Sequence, residues 1–263
     1  MMDLSQVSRT AILTLVCRVV ASEKKPAEFS DPLAALCLER LISLASPEEK
    51  DWILDRRRFY SGFSSHDALA GARRSKAFDQ AADRFIAANP GCTLVNLACG
   101  FDTRFWRIDR DQCRFFEVDL PGVIALKDEI LKDQPGCERI GCSVTDPAWI
   151  DQVTGAGNSR VLLLAEGLLC FLPQSDVLQL FQRLADRFVS SQFTFDVVPQ
   201  KFLHGIWKLL LRLETRINWK LEAAWQSGIR TPAEVETYAP GIKLMQATRG
   251  SAGPIITVSV NSD

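Results

Sequence analysis

The residues best suited to chemistry lie near the middle of the chain, where an apolar run ends in a small-residue turn. Residues 93–97 have the length and aliphatic content of a buried parallel strand. Three small residues follow, Ala98-Cys99-Gly100, so a ligand could lie close to the backbone amides. About 20 residues later, a second predicted strand ends at Asp119, and a strand-end acid at that spacing suits the hydroxyls of a ribose. This pattern predicts a nucleotide-type site, although Ala98 stands where G-x-G-x-x-G has its first glycine. The alternative is a strand-to-helix turn that binds nothing.

Before that strand the apolar side chains recur at helical spacing. The pattern predicts four helices, over residues 6–22, 31–45, 47–58 and 70–88. We therefore expect a helical cap and lead-in helix at 1–90, lying on a sheet domain at 91–263.

From residue 93 onward, strand and helix signals alternate, which is typical of a parallel sheet with right-handed crossovers. The predicted strands are 93–98, 114–119, 138–142, 160–165, 190–197, 242–248 and 254–260. Only residues 249–253 separate the last two strands, and so short a connection requires an antiparallel hairpin. The expected fold class is α/β, with a Rossmann-like, mostly parallel sheet closed by that hairpin. The hairpin and the missing G-x-G disfavour a nicotinamide dehydrogenase.

Residues 199–238 interrupt this alternation with an aromatic and basic segment that we predict to be a helical insertion. It could be a second cap packed on the N-terminal helices or a platform for a substrate. His204 lies in it, next to Phe202 and near Trp207. That histidine is either a packing residue or a general base for a hydroxyl acceptor.

Composition excludes several classes of function. The chain has 263 residues, of which 47% are hydrophobic and 24% charged, enough for one large α/β domain with a cap. With 31 basic and 32 acidic side chains, no footprint for nucleic acid is expected. Eight cysteines without a C-x-x-C pair, and two histidines, predict reduced thiols in a cytoplasmic protein and no metal site. The apolar residues 10–21 are too short to cross a bilayer, so neither a membrane contact nor a signal peptide is expected.

Three motifs in order resemble the leucine carboxyl methyltransferase family, including its bacterial polyketide O-methyltransferase-like branch. They are N-L-A-C-G-F-D-T-R-F-W-R at 96–107, E-V-D-L-P at 117–121 and A-E-G-L-L-C-F-L-P at 165–173. The N-terminal S-R-T-A at 8–11, S-D-P-L-A at 30–34 and A-R-R-S-K-A-F-D at 72–79 fit the bacterial branch. The resemblance covers about residues 8 to 175 and thins beyond 198.

The resemblance implies a class I methyltransferase fold that binds S-adenosylmethionine and releases S-adenosylhomocysteine. The methionine and ribose parts would lie over Ala98, Cys99 and Gly100, and Asp119 would bind the ribose hydroxyls. Glu166 would face the methionine end of the cofactor. Ser143, with Val144 beside it, would lie at the adenine.

A cap arginine would bind a carboxylate in such an enzyme. Arg74 matches the family best, Arg73 is one place away, and Arg18 is a weaker candidate. The acceptor implied is a carboxylate or the hydroxyl of a small molecule.

Three departures from the family pattern support an alternative function. Ala98 replaces a glycine, Ser143 an aspartate and Phe171 a tyrosine. A positive φ is disfavoured for alanine, and a serine hydroxyl bonds adenine without charge assistance. The alternative is therefore a non-catalytic or altered-function binding protein that keeps the methyltransferase fold.

Overall fold

A computed structural model describes residues 6–24, 29–62, 64–155, 160–219 and 224–261. Four helices precede the sheet, as predicted: α1 (Gln6–Glu23), α2 (Pro32–Leu44), α3 (Pro47–Ser61) and α4 (Ser65–Ala88). Asp31 and Ser46 cap α2 and α3 by accepting hydrogen bonds from backbone N–H groups of their first turns. The predicted start of α4 at residue 70 is five residues late, because residues 65–69 already belong to the helix.

The sheet has seven strands in the order β3-β2-β1-β4-β5-β7-β6. Their bounds are β1 (Cys92–Leu97), β2 (Cys113–Asp119), β3 (Glu138–Gly141), β4 (Val161–Ala165), β5 (Ser191–Asp196), β6 (Ile242–Arg249) and β7 (Pro254–Val260). The first five run parallel, and β7 is antiparallel to both β5 and β6. The predicted mostly parallel sheet with a closing hairpin is confirmed.

The crossover helices are α5 (Pro121–Ile130), α6 (Ala148–Thr154) and α7 (Gln174–Arg187). Strand β1 lies between β2 and β4, and all six of its residues are buried, which explains its continuous apolar run. Because the strand order reverses between β1 and β4, their carboxyl ends form the crevice where open α/β sheets bind ligands.

Two apolar cores cover the faces of the sheet. Helices α6 and α7 pack on one face around Phe181 and Phe193, and α4 packs on the other face around Phe78 and Leu94. A third core joins α1, α2 and α3, and it includes Phe101 and Leu126 from the sheet part of the chain. The N-terminal helices are thus packed onto the turn after β1. The proposed division at residue 90 stays a prediction.

The insertion at 199–238 contains less helix than predicted. It holds a short 3-10 turn (Gln200–Leu203), the helix α8 (Gly205–Glu214), a π turn (Thr215–Trp219) and a second 3-10 turn (Pro232–Thr237). Residues 220–223 lie outside the described residues. The segment after them is held by Ser227, whose hydroxyl donates to the Leu169 carbonyl at 2.6 Å. None of the residues of α8 is buried.

Candidate active site

Four neighbouring strands end at one edge of the sheet and bring three predicted residues together with Asp196, which the sequence did not single out. Ala98 follows β1, Asp119 ends β2, Glu166 follows β4 and Asp196 ends β5. All four lie at the carboxyl edge because these strands are parallel. This edge contains the switch point between β1 and β4, so the fold places the predicted site where ligands bind in such sheets.

The turn after β1 keeps a glycine-like backbone although its first residue is alanine. Ala98 has a φ of 50° and Gly100 a φ of 49°. For an L-residue this left-handed conformation costs roughly 1–2 kcal/mol, a strain that the surrounding structure has to hold. A Cβ placed on Gly100 would lie 2.9 Å from the Cβ of Ala11. Helix α1 therefore lies directly on the turn, and only glycine fits beneath it.

Asp119 is bound to this turn rather than only facing it. Its Oδ2 accepts the Gly100 N–H at 2.7 Å and its Oδ1 accepts the Leu120 N–H at 2.7 Å. Burial raises the pKa of the Asp119 carboxyl, and the two N–H groups partly oppose that rise. A carboxylate offers about four lone-pair positions. Two oxygens with one bond each therefore keep the capacity to accept a pair of ligand hydroxyls.

Two amides of the turn are already used within the protein. The Cys99 N–H donates to the Val118 carbonyl at 3.3 Å, and the Gly100 N–H donates to Asp119. The main contribution of the turn is therefore that a ligand can come close to its backbone, rather than that it supplies hydrogen-bond donors. Cys99 itself is buried, and that burial raises the pKa of its thiol well above the usual value.

Arg74 reaches the same edge from helix α4. Its Nε donates to Glu166 Oε1 at 3.0 Å and its Nη1 to Asp196 Oδ2 at 3.3 Å. The guanidinium packs against Gly167, where an added Cβ would lie 3.4 Å from Arg74 Nη2. The Gly167 N–H donates to Asp196 Oδ1 at 2.6 Å. Arg73 lies on the exposed side of α4. The fold thus favours Arg74 over Arg73 as the residue that faces the site.

Glu166 is shared between two arginines. Its Oε2 accepts from Arg104 Nη2 at 2.6 Å, and Ser75 donates to its other oxygen at 2.8 Å. Burial opposes ionisation of Glu166, but Arg74 and Arg104 outweigh burial, so the pKa of its carboxyl is lowered. Glu166 is therefore a charged group held in one orientation at the end of β4.

Arg104 is the central residue of the site, and sequence reasoning gave it no role. Its side chain is fully buried and also donates to Asp79 at 2.7 Å and to Asp102 at 2.5 Å. Burial opposes the charge of Asp102, but Arg104 and Arg107 hold the pKa of that carboxyl far below its usual range. The signal was present as the arginine of the D-T-R string at 102–104, which contains Asp102 but not the two other carboxylate partners, Asp79 and Glu166.

A second arginine cluster joins the N-terminal helices to the turn. Arg107 donates to Asp31 at 2.8 Å and to Asp79 at 2.8 Å, and Arg18 donates to Asp31 at 3.1 Å and to the Phe101 carbonyl at 2.6 Å. Thr103 also donates to Asp31, at 2.6 Å. Arg18 is thus buried and engaged within the protein, which favours a clamp between cap and turn over binding of a ligand carboxylate.

The remaining predicted residues lie around this centre. Ser143 follows β3, where its hydroxyl is 2.8 Å from that of Thr145, and Val144 beside it is buried in the core. Phe171 is half-buried in the turn after β4, and His204 is exposed at the start of α8. Among the described residues no cluster of three or more histidine, cysteine or acidic side chains could hold a metal ion. The site thus consists of strand-end carboxylates, buried arginines and a tight turn.

This strand order, with a parallel sheet closed by an antiparallel β7 and acids at the ends of β2 and β4, defines the class I methyltransferase fold. An O-methyltransferase family protein from Burkholderia thailandensis superposes with a TM-score of 0.54 over 97% of this chain and 94% of its own, at 12% identity. At this low identity, the similarity shows that the two proteins share a fold and nothing more.

The sequence matches the leucine carboxyl methyltransferase family over residues 11–185. The chain belongs to this family and is a methyltransferase. The tetracenomycin polyketide synthesis O-methyltransferase TcmP of Streptomyces glaucescens is 27% identical over 244 residues, 92% of this chain and 83% of the relative. The S-adenosyl-L-methionine-dependent methyltransferase dpfgK of Gibberella zeae is 26% identical over 256 residues, 91% of this chain and 81% of the relative. Both matches extend well past the boundary near residue 175 at which the motifs end.

Proposed function

We propose that this protein is an S-adenosylmethionine-dependent O-methyltransferase acting on a carboxylate or on the hydroxyl of a small molecule. The observation that carries the proposal is the joining of Asp119 to the turn at Gly100, at the switch point of a class I sheet. When bound, S-adenosylmethionine supplies a methyl group on a positively charged sulfur, and its transfer to an acceptor oxygen leaves S-adenosylhomocysteine.

The residues of the site fit that cofactor. Asp119 has lone pairs for two ribose hydroxyls, and the small residues 98–100 admit the nucleoside close to the backbone. Arg74 would hold the carboxylate of the methionine part, and Glu166 would face its ammonium group. Ser143 and Val144 would border the adenine, the serine as a neutral hydrogen-bond partner.

Methyl transfer mainly requires that the protein align the methyl donor with the acceptor. Methyl transfer is an in-line displacement, so the site has to hold donor and acceptor in register and exclude water. A carboxylate acceptor is already ionised at neutral pH and needs no general base. Both histidines, His66 and His204, are exposed, which favours a carboxylate over a hydroxyl acceptor.

The acceptor class is tested with matched aromatic carboxylic acids and phenols and a labelled methyl donor. An ester product releases methanol in alkali, whereas an ether does not.

Calorimetry tests the cofactor site. We expect the protein to bind S-adenosylmethionine, and Asp119→Ala to weaken that binding at least about tenfold, because charge-assisted hydrogen bonds are lost. Asp111→Ala is the matched control, since that carboxylate is exposed. Urea unfolding of each variant separates a binding loss from a folding loss. No heat of binding at millimolar cofactor would favour the alternative of a non-catalytic binding protein.

The role of Arg74 is tested by comparing two ligands. Lysine cannot reproduce the planar fork of a guanidinium, so Arg74→Lys should weaken S-adenosylmethionine and leave adenosine, which has no carboxylate, nearly unchanged. Arg73→Lys on the exposed side of α4 is the control. Equal losses for both ligands would indicate a disturbed cap, and a larger ligand-specific loss for Arg73→Lys would reassign the role.

We also place the protein in the cytoplasm. All eight cysteines are free thiols in the structure, as suits a reducing compartment. Fractionation of cells that express the tagged chain tests this placement.

A further inference from the structure

Helix α8 is attached to the protein by its more polar side. Lys208 and Leu211 are its half-buried residues, and Thr215, just after it, is buried. Their spacing of three and four residues puts them on one helix face. This arrangement is the reverse of the usual one, in which the apolar face of an amphipathic helix packs against the core.

The opposite face of α8 and the following turn is apolar and points to solvent. Five aliphatic side chains repeat there at helical spacing and are 45% to 67% exposed: Ile206, Leu209, Leu210, Leu213 and Ile217. Trp207 lies at the edge of this face, about half exposed, with its ring against that of Phe202. Contiguous apolar surface of this kind usually marks a contact with another molecule or with a membrane. We call it the α8 face.

Positive charge is concentrated around the α8 face. Residues 200–217 contain a single acidic residue, Glu214. They also contain four basic residues, which are Lys201, Lys208, Arg212 and Arg216. The whole chain carries a net charge of −1, so this concentration is local. Arg212 and Arg216 are exposed and flank the apolar residues. The Lys201 ammonium lies 5.3 Å and 5.5 Å from the ring centres of Phe202 and Trp207, so the cations extend to the Trp207 end of the helix.

We propose that the α8 face binds the surface of an anionic lipid bilayer. A helix with an apolar face, a tryptophan at its edge and flanking lysine and arginine is the type that lies in the membrane interface, with its cations at the lipid headgroups. A second copy of the chain fits less well, because a ten-residue helix is only about 15 Å long. That length covers little of the roughly 800 Å² per partner that stable interfaces bury.

The attachment is peripheral. Among the described helices none is long and apolar enough to cross a membrane. The sequence led us to expect no membrane contact, and the outward direction of the α8 face changes that expectation. The surface of the cytoplasmic leaflet is negative, which agrees with the placement of the protein in the cytoplasm.

Co-sedimentation with vesicles tests the proposal. The full-length protein should sediment with vesicles of phosphatidylcholine and phosphatidylglycerol, sediment weakly with phosphatidylcholine alone, and detach as salt is raised. Arg212→Glu with Arg216→Glu should lower partitioning at least about 25-fold, at about fivefold for each charge. Leu213→Ser should also lower partitioning. The controls are Arg230→Glu and Val189→Ser, which alter exposed residues outside α8 and should leave binding unchanged.

Each other outcome would overturn the proposal. Failure to sediment with anionic vesicles removes it directly, and equal binding to neutral vesicles removes the role of the cations. A doubling of the mass in light scattering, abolished by Leu213→Ser, would assign the α8 face to a second copy of the chain instead. Loss of vesicle binding in the two control variants would show that it depends on the fold as a whole and not on α8.

Discussion

Gly100→Ala tests whether helix α1 lies on the turn of the candidate site. The substitution adds one methyl group at a residue whose φ is 49° and whose added Cβ would lie 2.9 Å from that of Ala11. Two penalties therefore act at once, one from the backbone conformation and one from the contact. They can be separated because the chain offers a glycine that has only the first.

The expected magnitude follows from both penalties. The left-handed conformation costs an alanine roughly 1–2 kcal/mol, and overpacking by one methyl group costs typically about 1–3 kcal/mol. Alanine also restricts the unfolded chain more than glycine does, and this effect stabilises the folded protein by about 0.4–1 kcal/mol. We therefore expect the free energy of unfolding to fall by about 1–5 kcal/mol. Gly91→Ala, at a φ of 79° with nothing within 4 Å of its added Cβ, should show only the conformational part.

The assay is a double-mutant cycle measured by urea unfolding. Ala11→Gly, in the interior of α1, should cost about 1 kcal/mol by itself, but it removes the methyl group that Gly100→Ala meets. The double variant should thus be more stable than the two single losses predict, by about 1–3 kcal/mol. A coupling energy near zero, with Gly100→Ala no worse than Gly91→Ala, would refute the packing of α1 on the turn.

Two further predictions concern the buried charges and the thiols. Arg104→Met should lower the free energy of unfolding by about 3–5 kcal/mol, because Asp79, Asp102 and Glu166 lose a buried partner. The control Arg187→Met removes an exposed pair with Asp151 and should lower it by less than about 1 kcal/mol. Equal losses for the two variants in urea unfolding would contradict the central position of Arg104. Burial raises the pKa of Cys37 and Cys92 to about 11 and that of Cys17 to about 12. Above pH about 8.5 the unfolded chain loses thiol protons that the folded protein keeps, so stability should fall as pH rises to 11. Cys37→Ala should flatten that fall by up to about 1.4 kcal/mol per pH unit, and an unchanged slope would show that its thiol titrates normally.

Local sequence patterns were enough to predict the architecture of the sheet and the positions of the strand-end residues. Alternating apolar runs predicted all seven strands, and the short 249–253 connection predicted their antiparallel ending. Both signals are local, since a strand must bury its side chains and a short loop cannot support a parallel crossover. The family motifs added the class of reaction. They also singled out Asp119 and Arg74, which the structure places at the same edge of the sheet.

The pairing of the buried charges could be seen only in the folded protein. Arg74 pairs with Glu166 and Asp196, which are 92 and 122 residues away along the chain, and Arg104 pairs with Glu166 across 62 residues. No periodicity encodes such distances, because the carboxylates become neighbours only when separate strands end at one edge. The direction of α8 was decided in the same way. The sequence predicts a helical insertion here, but only the packing of residues 208, 211 and 215 against the protein shows that its apolar side points outward.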